Sequence, residues 1–248
     1  MKDDARSKVT LRPRSKLERV VATLAAEYTI PDRPELDLLT QLTLMQLVAR
    51  GAEARSALAT LGPLCTKSGE VDAERLAEVP PDLVAGVCTT APEETVRALR
   101  RLGEAALNAV SGLDAACQRD LAEARRLLRP LVALDDEPGS AAAEQRADHL
   151  LLQAGVHAIV APTSAAVQVA ARLGYPGTSY ASLARVLDEE LPDHDALEVA
   201  WTAHHALDQH GRTTCGANTQ CTRCPVRAGC GYHGEGPDPA TRIGGRTP

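Results

Sequence analysis

The sequence predicts an all-α protein, and three observations carry that expectation. Apolar residues recur at the three- and four-residue spacing of a helix with one buried face in nearly every segment. Residues that start helices precede these segments, and glycines or prolines follow them. No alternating apolar–polar run has the length of a convincing strand, and no internal repeat is visible.

Ser15 and Glu18 have the spacing of a capping box, and Leu17, Val20, Val21, Leu24 and Tyr28 follow at helical intervals. Pro31 and Pro34 interrupt the chain. A second helix carries Leu38, Leu39, Leu42, Met45 and Val48 and ends near Gly51. Short helices are expected around 54–62 and 72–78. Thr90 and Glu93 have the spacing of another capping box ahead of Val96, Leu99 and Leu102. The stretch 113–134 reads as helix up to about Pro130, and residues 135–140, DDEPGS, form a turn. A helix over about 143–154 follows, closed by Gly155. Beyond the brief extended segment IVAP, Thr163 caps a helix with Ala166, Val167, Ala170 and Leu173, and Gly174 follows it. Tyr180 to Leu187 is a further helix. The last begins near Asp193, buries Leu197, Ala200, His204 and Leu207, and stops at Gly211. The polar ends, 1–14 and 235–248, are expected to be disordered.

A chain of 248 residues is long enough for a large core in one domain or two. Its 44% hydrophobic and 24% charged residues are ordinary globular values. No apolar run approaches the roughly 20 residues of a membrane span, and the segment MKDDARSKVTLRPRSK lacks the apolar stretch of a secretory signal. The expectation is a cytoplasmic monomer that meets no membrane. A net charge of -6 argues against binding dominated by phosphate contacts, though a local basic face is compatible with it. With no Phe, one Trp (Trp201) and four Tyr, a base-stacking platform for single strands is not expected.

Of seven cysteines, Cys65, Cys88 and Cys117 are scattered and four lie together near the C-terminus. The odd count and this distribution do not suit a disulfide scaffold, whereas a tight cysteine group in a reducing compartment commonly binds metal. Cys215, Cys221, Cys224 and Cys230, in CGANTQCTRCPVRAGC, are separated by gaps of five, two and five residues. Thiolates suit iron–sulfur clusters and zinc alike. Structural zinc more often uses two CxxC knuckles about a dozen or more residues apart. A single CxxC flanked by lone cysteines favours a [4Fe–4S] cluster held by one wrapped loop, with zinc or unliganded thiols as the alternatives.

The stretch HHALDQHGRTTC (His204–Cys215) with the cysteines behind it resembles the C-terminal signature of endonuclease III-like DNA glycosylases, the helix-hairpin-helix superfamily. His204, His205, His210, Gly211 and Arg212 match that signature, and TRCPVRAGC is similar to its adenine-glycosylase branch. Upstream, PELDLLTQLTLMQL (34–47) resembles the family's first long barrel helix, and EPGSAAAEQRADHLLLQAG (137–155) resembles its helix-hairpin-helix. VAPTSAAVQVAARLG (160–174) resembles the segment that carries its catalytic Asp. The resemblance implies a two-lobed, all-α glycosylase fold with a [4Fe–4S] loop. Residues 30–155 would form a six-helix barrel lobe ending in a degenerate hairpin, and 15–29 with 156–234 the cluster lobe, with double-stranded DNA across the groove between them.

The family removes a base from a flipped nucleotide, using a carboxylate and, in bifunctional members, a Lys that attacks the sugar. The resemblance puts Pro162 at the Asp position and the Lys within Ala143 to Gln145, and no Lys follows Lys67. If a displaced acid serves, Glu144 and Asp148 are the candidates, with His149 nearby. The hairpin keeps Pro138 and Gly139, but Ala141 replaces its second Gly, and Asp135, Asp136, Glu137 and Glu144 would repel a phosphate. The loop GANTQ is uncharged where the family's is basic. Arg212, Arg223 and Arg227 are the remaining phosphate contacts on the cluster side, or else ordinary surface arginines. Arg212 equally suits capping the helix before it, and His204 reads as a packed histidine. The expected function is a DNA-binding member of the base-excision-repair family without its catalytic pair. The alternatives are a monofunctional glycosylase with a displaced carboxylate, and a redox or protein-interaction module that does not act on DNA.

Overall fold

The computed structural model describes residues 15–232 except 89, 110, 111, 135–137, 178 and 218. The expectations for 1–14, for 235–248 and for Asp135, Asp136 and Glu137 lie outside the described residues. Within them the chain forms twelve α-helices and no strand beyond an isolated bridge between Cys65 and Val71.

Helix α1 (Lys16–Ala25) begins on the expected capping box: the Ser15 hydroxyl accepts the Glu18 N–H at 3.1 Å, and the Glu18 carboxylate accepts the Ser15 N–H at 2.7 Å. Asp37 caps α2 (Leu38–Ala49), which buries Leu38, Leu39, Leu42 and Leu47 but turns Val48 outward at 45% exposure. Two short helices, α3 (Ala54–Leu61) and α4 (Ala73–Ala77), fall where expected, and α5 (Pro81–Ala85) is additional.

The Thr90–Glu93 box does not form. Helix α6 (Pro92–Asn108) instead starts on Pro92, whose fixed φ suits the first helical position, and Ala91 enters it at φ 49° with no side-chain cap. The stretch read as one helix from 113 divides into α7 (Leu113–Cys117) and α8 (Leu121–Val132), because Asp120 accepts the Glu123 N–H at 2.9 Å and restarts the helix. Pro130 lies in the last turn of α8. Ser140 caps α9 (Ala141–Gln153).

Gly155 takes φ +71°, and the Val156 N–H closes back on the Leu151 carbonyl at 2.9 Å. The same closure ends α10 (Ser164–Arg172) at Gly174. Helix α11 (Tyr180–Asp188) precedes α12 (Ala196–Thr213).

Helix α12 does not stop at Gly211 but continues to Thr213. A Cβ on Gly211 would lie 2.6 Å from the Ala165 carbonyl oxygen, so this glycine lets α10 and α12 approach. Helices α1 and α10 both pack on α12, while α2, α4 and α5 pack around α6. Helix α9 touches α2, α8, α11 and α12, and the buried side chains form one cluster running from Leu17 to Val226. No helix of the described residues is long and apolar enough to cross a membrane.

Candidate functional site

Four thiols lie at the end of α12. The Cys215 N–H bonds to the His210 carbonyl at 2.8 Å, and the Gln220 N–H to the Thr214 carbonyl at 2.9 Å, which turns the chain back on itself. Two 3₁₀ turns follow, Cys221–Arg223 and Arg227–Gly229, and they place Cys221 at the start of the first, Cys224 just after it and Cys230 just after the second. All four are free and half-buried. Burial pushes the Cys224 thiol above its ordinary value, and the charges of Cys215, Cys230 and Cys221 add to the rise against a Val226 N–H that lowers it. The other three thiols therefore lie within electrostatic reach of Cys224. No group of three or more His, Cys, Asp or Glu among the described residues is arranged to hold a single metal ion.

The surroundings of these thiols fit a soft, thiolate-bound group. Arg172 points Nη1 at the Cys215 sulfur at 3.3 Å and also bonds the Cys215 carbonyl. His210 Nε2 lies 3.6 Å from the Cys224 sulfur, and the Cys230 sulfur lies 3.4 Å from the Arg172 carbonyl. Hydrogen bonds to ligand sulfurs orient thiolates and tune what they hold. Arg172 was not singled out from the sequence. It sits 43 residues before Cys215, and only the Schellman-closed end of α10 brings it there.

The arginines expected to meet phosphate separate into two situations. Arg212 is exposed, but its Nε pairs with Asp208 at 2.7 Å. Arg223 and Arg227 stand exposed on the two 3₁₀ turns. A further basic group was missed: Arg125, Arg126 and Arg129 of α8 line a cavity of about 460 Å³ with Pro138 and Gly139 of the hairpin. The run ARRLLR at 124–129 was the available signal.

Of the residues Ala143 to Gln145, where the resemblance puts the Lys, Gln145 reaches Pro162, where it puts the Asp. Gln145, on α9, donates its side-chain Nε2–H to the Pro162 carbonyl at 3.0 Å. The two carboxylates singled out on α9 are otherwise engaged. Asp148 is fully buried, holds Arg125 at 2.6 and 2.8 Å, and accepts the Tyr180 hydroxyl at 2.7 Å. Glu144 pairs with Arg129 at 3.1 Å.

A third carboxylate, which sequence reasoning passed over, reaches the start of α10. Asp208 accepts the hydroxyl of Thr163, the N-cap of α10, at 2.5 Å. Burial works to raise Asp208, but hydrogen bonds from Thr163 and Arg212 outweigh it and hold the carboxyl below its ordinary value.

Three imidazoles surround this carboxylate. The His149 and His204 rings lie 4.6 Å apart, and those of His204 and His205 lie 4.9 Å apart. His204 is packed, as expected, with Nδ1 2.7 Å from the Ala161 carbonyl. Burial pushes His205 down to about 4, with His204 adding to it. Desolvation by the surrounding protein likewise pushes His149 down to about 4, with His204 and His205 adding to it. His149 also borders a groove of about 270 Å³ between α2 and α9, walled by Leu36, Leu44, Met45 and Val48.

Comparison with solved structures finds a similar fold in "Structure of a Trapped Endonuclease III-DNA Covalent Intermediate: Estranged-Adenine Complex", with a TM-score of 0.56 and 18% identity over 92% of this chain and 97% of that one. No family model and no curated protein matches the chain. The likeness shows the fold alone: this chain has an all-α fold similar to that of the endonuclease III in that complex.

Proposed function

We propose that this protein is a [4Fe–4S] protein of the base-excision-repair type that binds double-stranded DNA without releasing bases. One observation carries the absence of turnover. The resemblance puts the family's Asp at Pro162 and its Lys within Ala143 to Gln145, and the contact between these segments is the Gln145 amide on the Pro162 carbonyl at 3.0 Å. Neither group supplies a nucleophile or a charge for the sugar. Glu144 and Asp148 are committed to ion pairs with Arg129 and Arg125.

Several features support the DNA and cofactor parts of the reading. The fold is similar to one solved as an endonuclease III–DNA complex. Arg125, Arg126 and Arg129 border the hairpin turn. Arg223 and Arg227 stand on the cysteine loop, with Arg212 one turn before it. In this reading 30–155 is the barrel lobe, 15–29 with 156–234 is the cluster lobe, and the duplex lies across both. Cys215, Cys221, Cys224 and Cys230 would hold the cluster, which supplies a rigid cross-link for their loop and a one-electron centre.

A second reading, a monofunctional glycosylase with a displaced carboxylate, rests on Asp208, held in its ionised form beside the cap of α10. The test is anaerobic purification, assay of iron and sulfide, and a panel of lesion-containing duplexes scored for binding and base release. The expected result is binding that weakens steeply with salt, with no release. Release that disappears in Asp208→Asn would replace the first reading by the second. Absence of DNA affinity even at low salt would leave the redox or protein-interaction module.

A further inference from the structure

A line of polar contacts runs from the end of α1 to the cysteine loop. The Thr214 hydroxyl lies 2.8 Å from the Tyr28 hydroxyl, which lies 2.9 Å from His210 Nδ1. On the other side of the ring, His210 Nε2 lies 3.6 Å from the Cys224 sulfur. His210 is 1% exposed. We propose that His210 is a positioning residue for the iron–sulfur centre: its Nε2–H donates to the Cys224 sulfur, and Tyr28 holds the tautomer that allows it. This rests on the cofactor reading above.

The argument follows from counting protons. A thiolate bound to iron carries none, so the hydrogen in the Cys224–His210 contact has to come from the imidazole. A neutral imidazole has one N–H. If that hydrogen sits on Nε2, then Nδ1 must accept. Tyr28 donates to it and accepts in turn from Thr214. The opposite tautomer also satisfies Tyr28, but it turns the Nε2 lone pair against the lone pairs of the sulfur. Only the first arrangement serves all four groups. An N–H aimed at a ligand sulfur stabilises the more negative, reduced cluster and so raises its reduction potential. Arg172 makes the corresponding contact to Cys215 at 3.3 Å, so two of the four ligands are approached by N–H donors from outside the loop.

The test compares wild-type protein with His210→Leu, His210→Gln and Tyr28→Phe, each purified or reconstituted anaerobically. Iron and sulfide content, absorption spectrum and midpoint potential are measured. His210→Leu is expected to lower the potential so that the reduced-to-oxidised ratio falls about tenfold, or about 59 mV for one electron. Tyr28→Phe shifts it the same way by less, and His210→Gln, which keeps an N–H, recovers most of the wild-type value. Equal potentials in wild type, His210→Leu and Tyr28→Phe at equal cluster content overturn the relay alone. If His210→Leu takes up no cluster, Tyr28→Phe decides, and a wild-type potential there overturns the proposal. A wild-type protein that takes up no iron and sulfide overturns the cofactor reading and the relay together.

Discussion

Asp148 places a charge where no water reaches it. Its two oxygens take Nε and Nη2 of Arg125 at 2.6 and 2.8 Å, and the Tyr180 hydroxyl adds a third bond at 2.7 Å. The Arg125 side chain is itself 23% exposed. Removing one partner of a buried pair costs about 3–5 kcal/mol, because the other charge is left without its counterion. Water can still reach Arg125, so Asp148→Ala is expected at the low end, a loss of about 3 kcal/mol in a urea titration with an unchanged m-value. A loss below about 1 kcal/mol would mean that the pair contributes little and that Asp148 is free for another role. The sequence placed Asp148 near the cleft but could not show what holds it. Its partner lies 23 residues earlier on another helix, and local spacing does not reveal such a pair. The cysteines were legible because they sit within one short loop, and their spacing is itself the information. Asp208 was missed for the same reason as Arg125: its contact with Thr163 spans 45 residues.

Among the elements, α10 and α12 make the closest approach, and Gly211 permits it. An added methyl would meet the Ala165 carbonyl oxygen at 2.6 Å and the Ala165 Cβ at 2.8 Å, and a backbone carbonyl cannot rotate away as a long side chain can. Helix propensity alone favours Ala over Gly by up to about 1 kcal/mol. Overpacking of this kind costs about 1–3 kcal/mol. Gly211→Ala is therefore expected to lower stability by about 1–2 kcal/mol and to reduce Tm. A rise in Tm would show that the interface is slack and that propensity wins. This glycine also explains why the end of α12 was misread. Glycine near the end of an amphipathic run signals either a stop or a close contact, and a single sequence does not separate the two. Gly155 and Gly174 did end their helices, at φ +71° and +81°. At Thr90, the local pattern of a capping box lost to Pro92, which begins α6 one residue later than the box requires and leaves Ala91 as the N-cap.

In the whole molecule the cysteine loop adds little to the core. The buried cluster runs from α1 to α12 and takes in Val226 of the loop, with Cys215, Cys224 and Cys230 packed against it. Between Thr214 and Tyr232, Val226 is the only buried side chain among the described residues, whose regular structure is limited to two 3₁₀ turns and the helical residues 231 and 232. So little apolar burial cannot offset the ordering of nearly twenty residues at about 1–2 kcal/mol each. In the proposed cofactor reading, the missing stabilisation comes from ligation, which couples binding of the centre to folding of its loop. If the loop held everything from residue 156 onward, losing one cysteine would unfold all of it. The packing of α1 and α10 on α12 limits the effect, because Leu17, Leu24, Val169 and Leu207 are buried where these helices meet. Cys224→Ala is expected to give colourless protein in which amides of 214–232 exchange rapidly while those of α10 and α12 stay protected. Far-ultraviolet helical signal should remain close to wild type, since all twelve helices end before Cys215. Solubility should fall, because Val226 and the remaining thiols become exposed. Slow exchange throughout 214–232 in the metal-free variant would show that the loop folds on its own, and the centre would then have to be retained for its chemistry rather than for the fold.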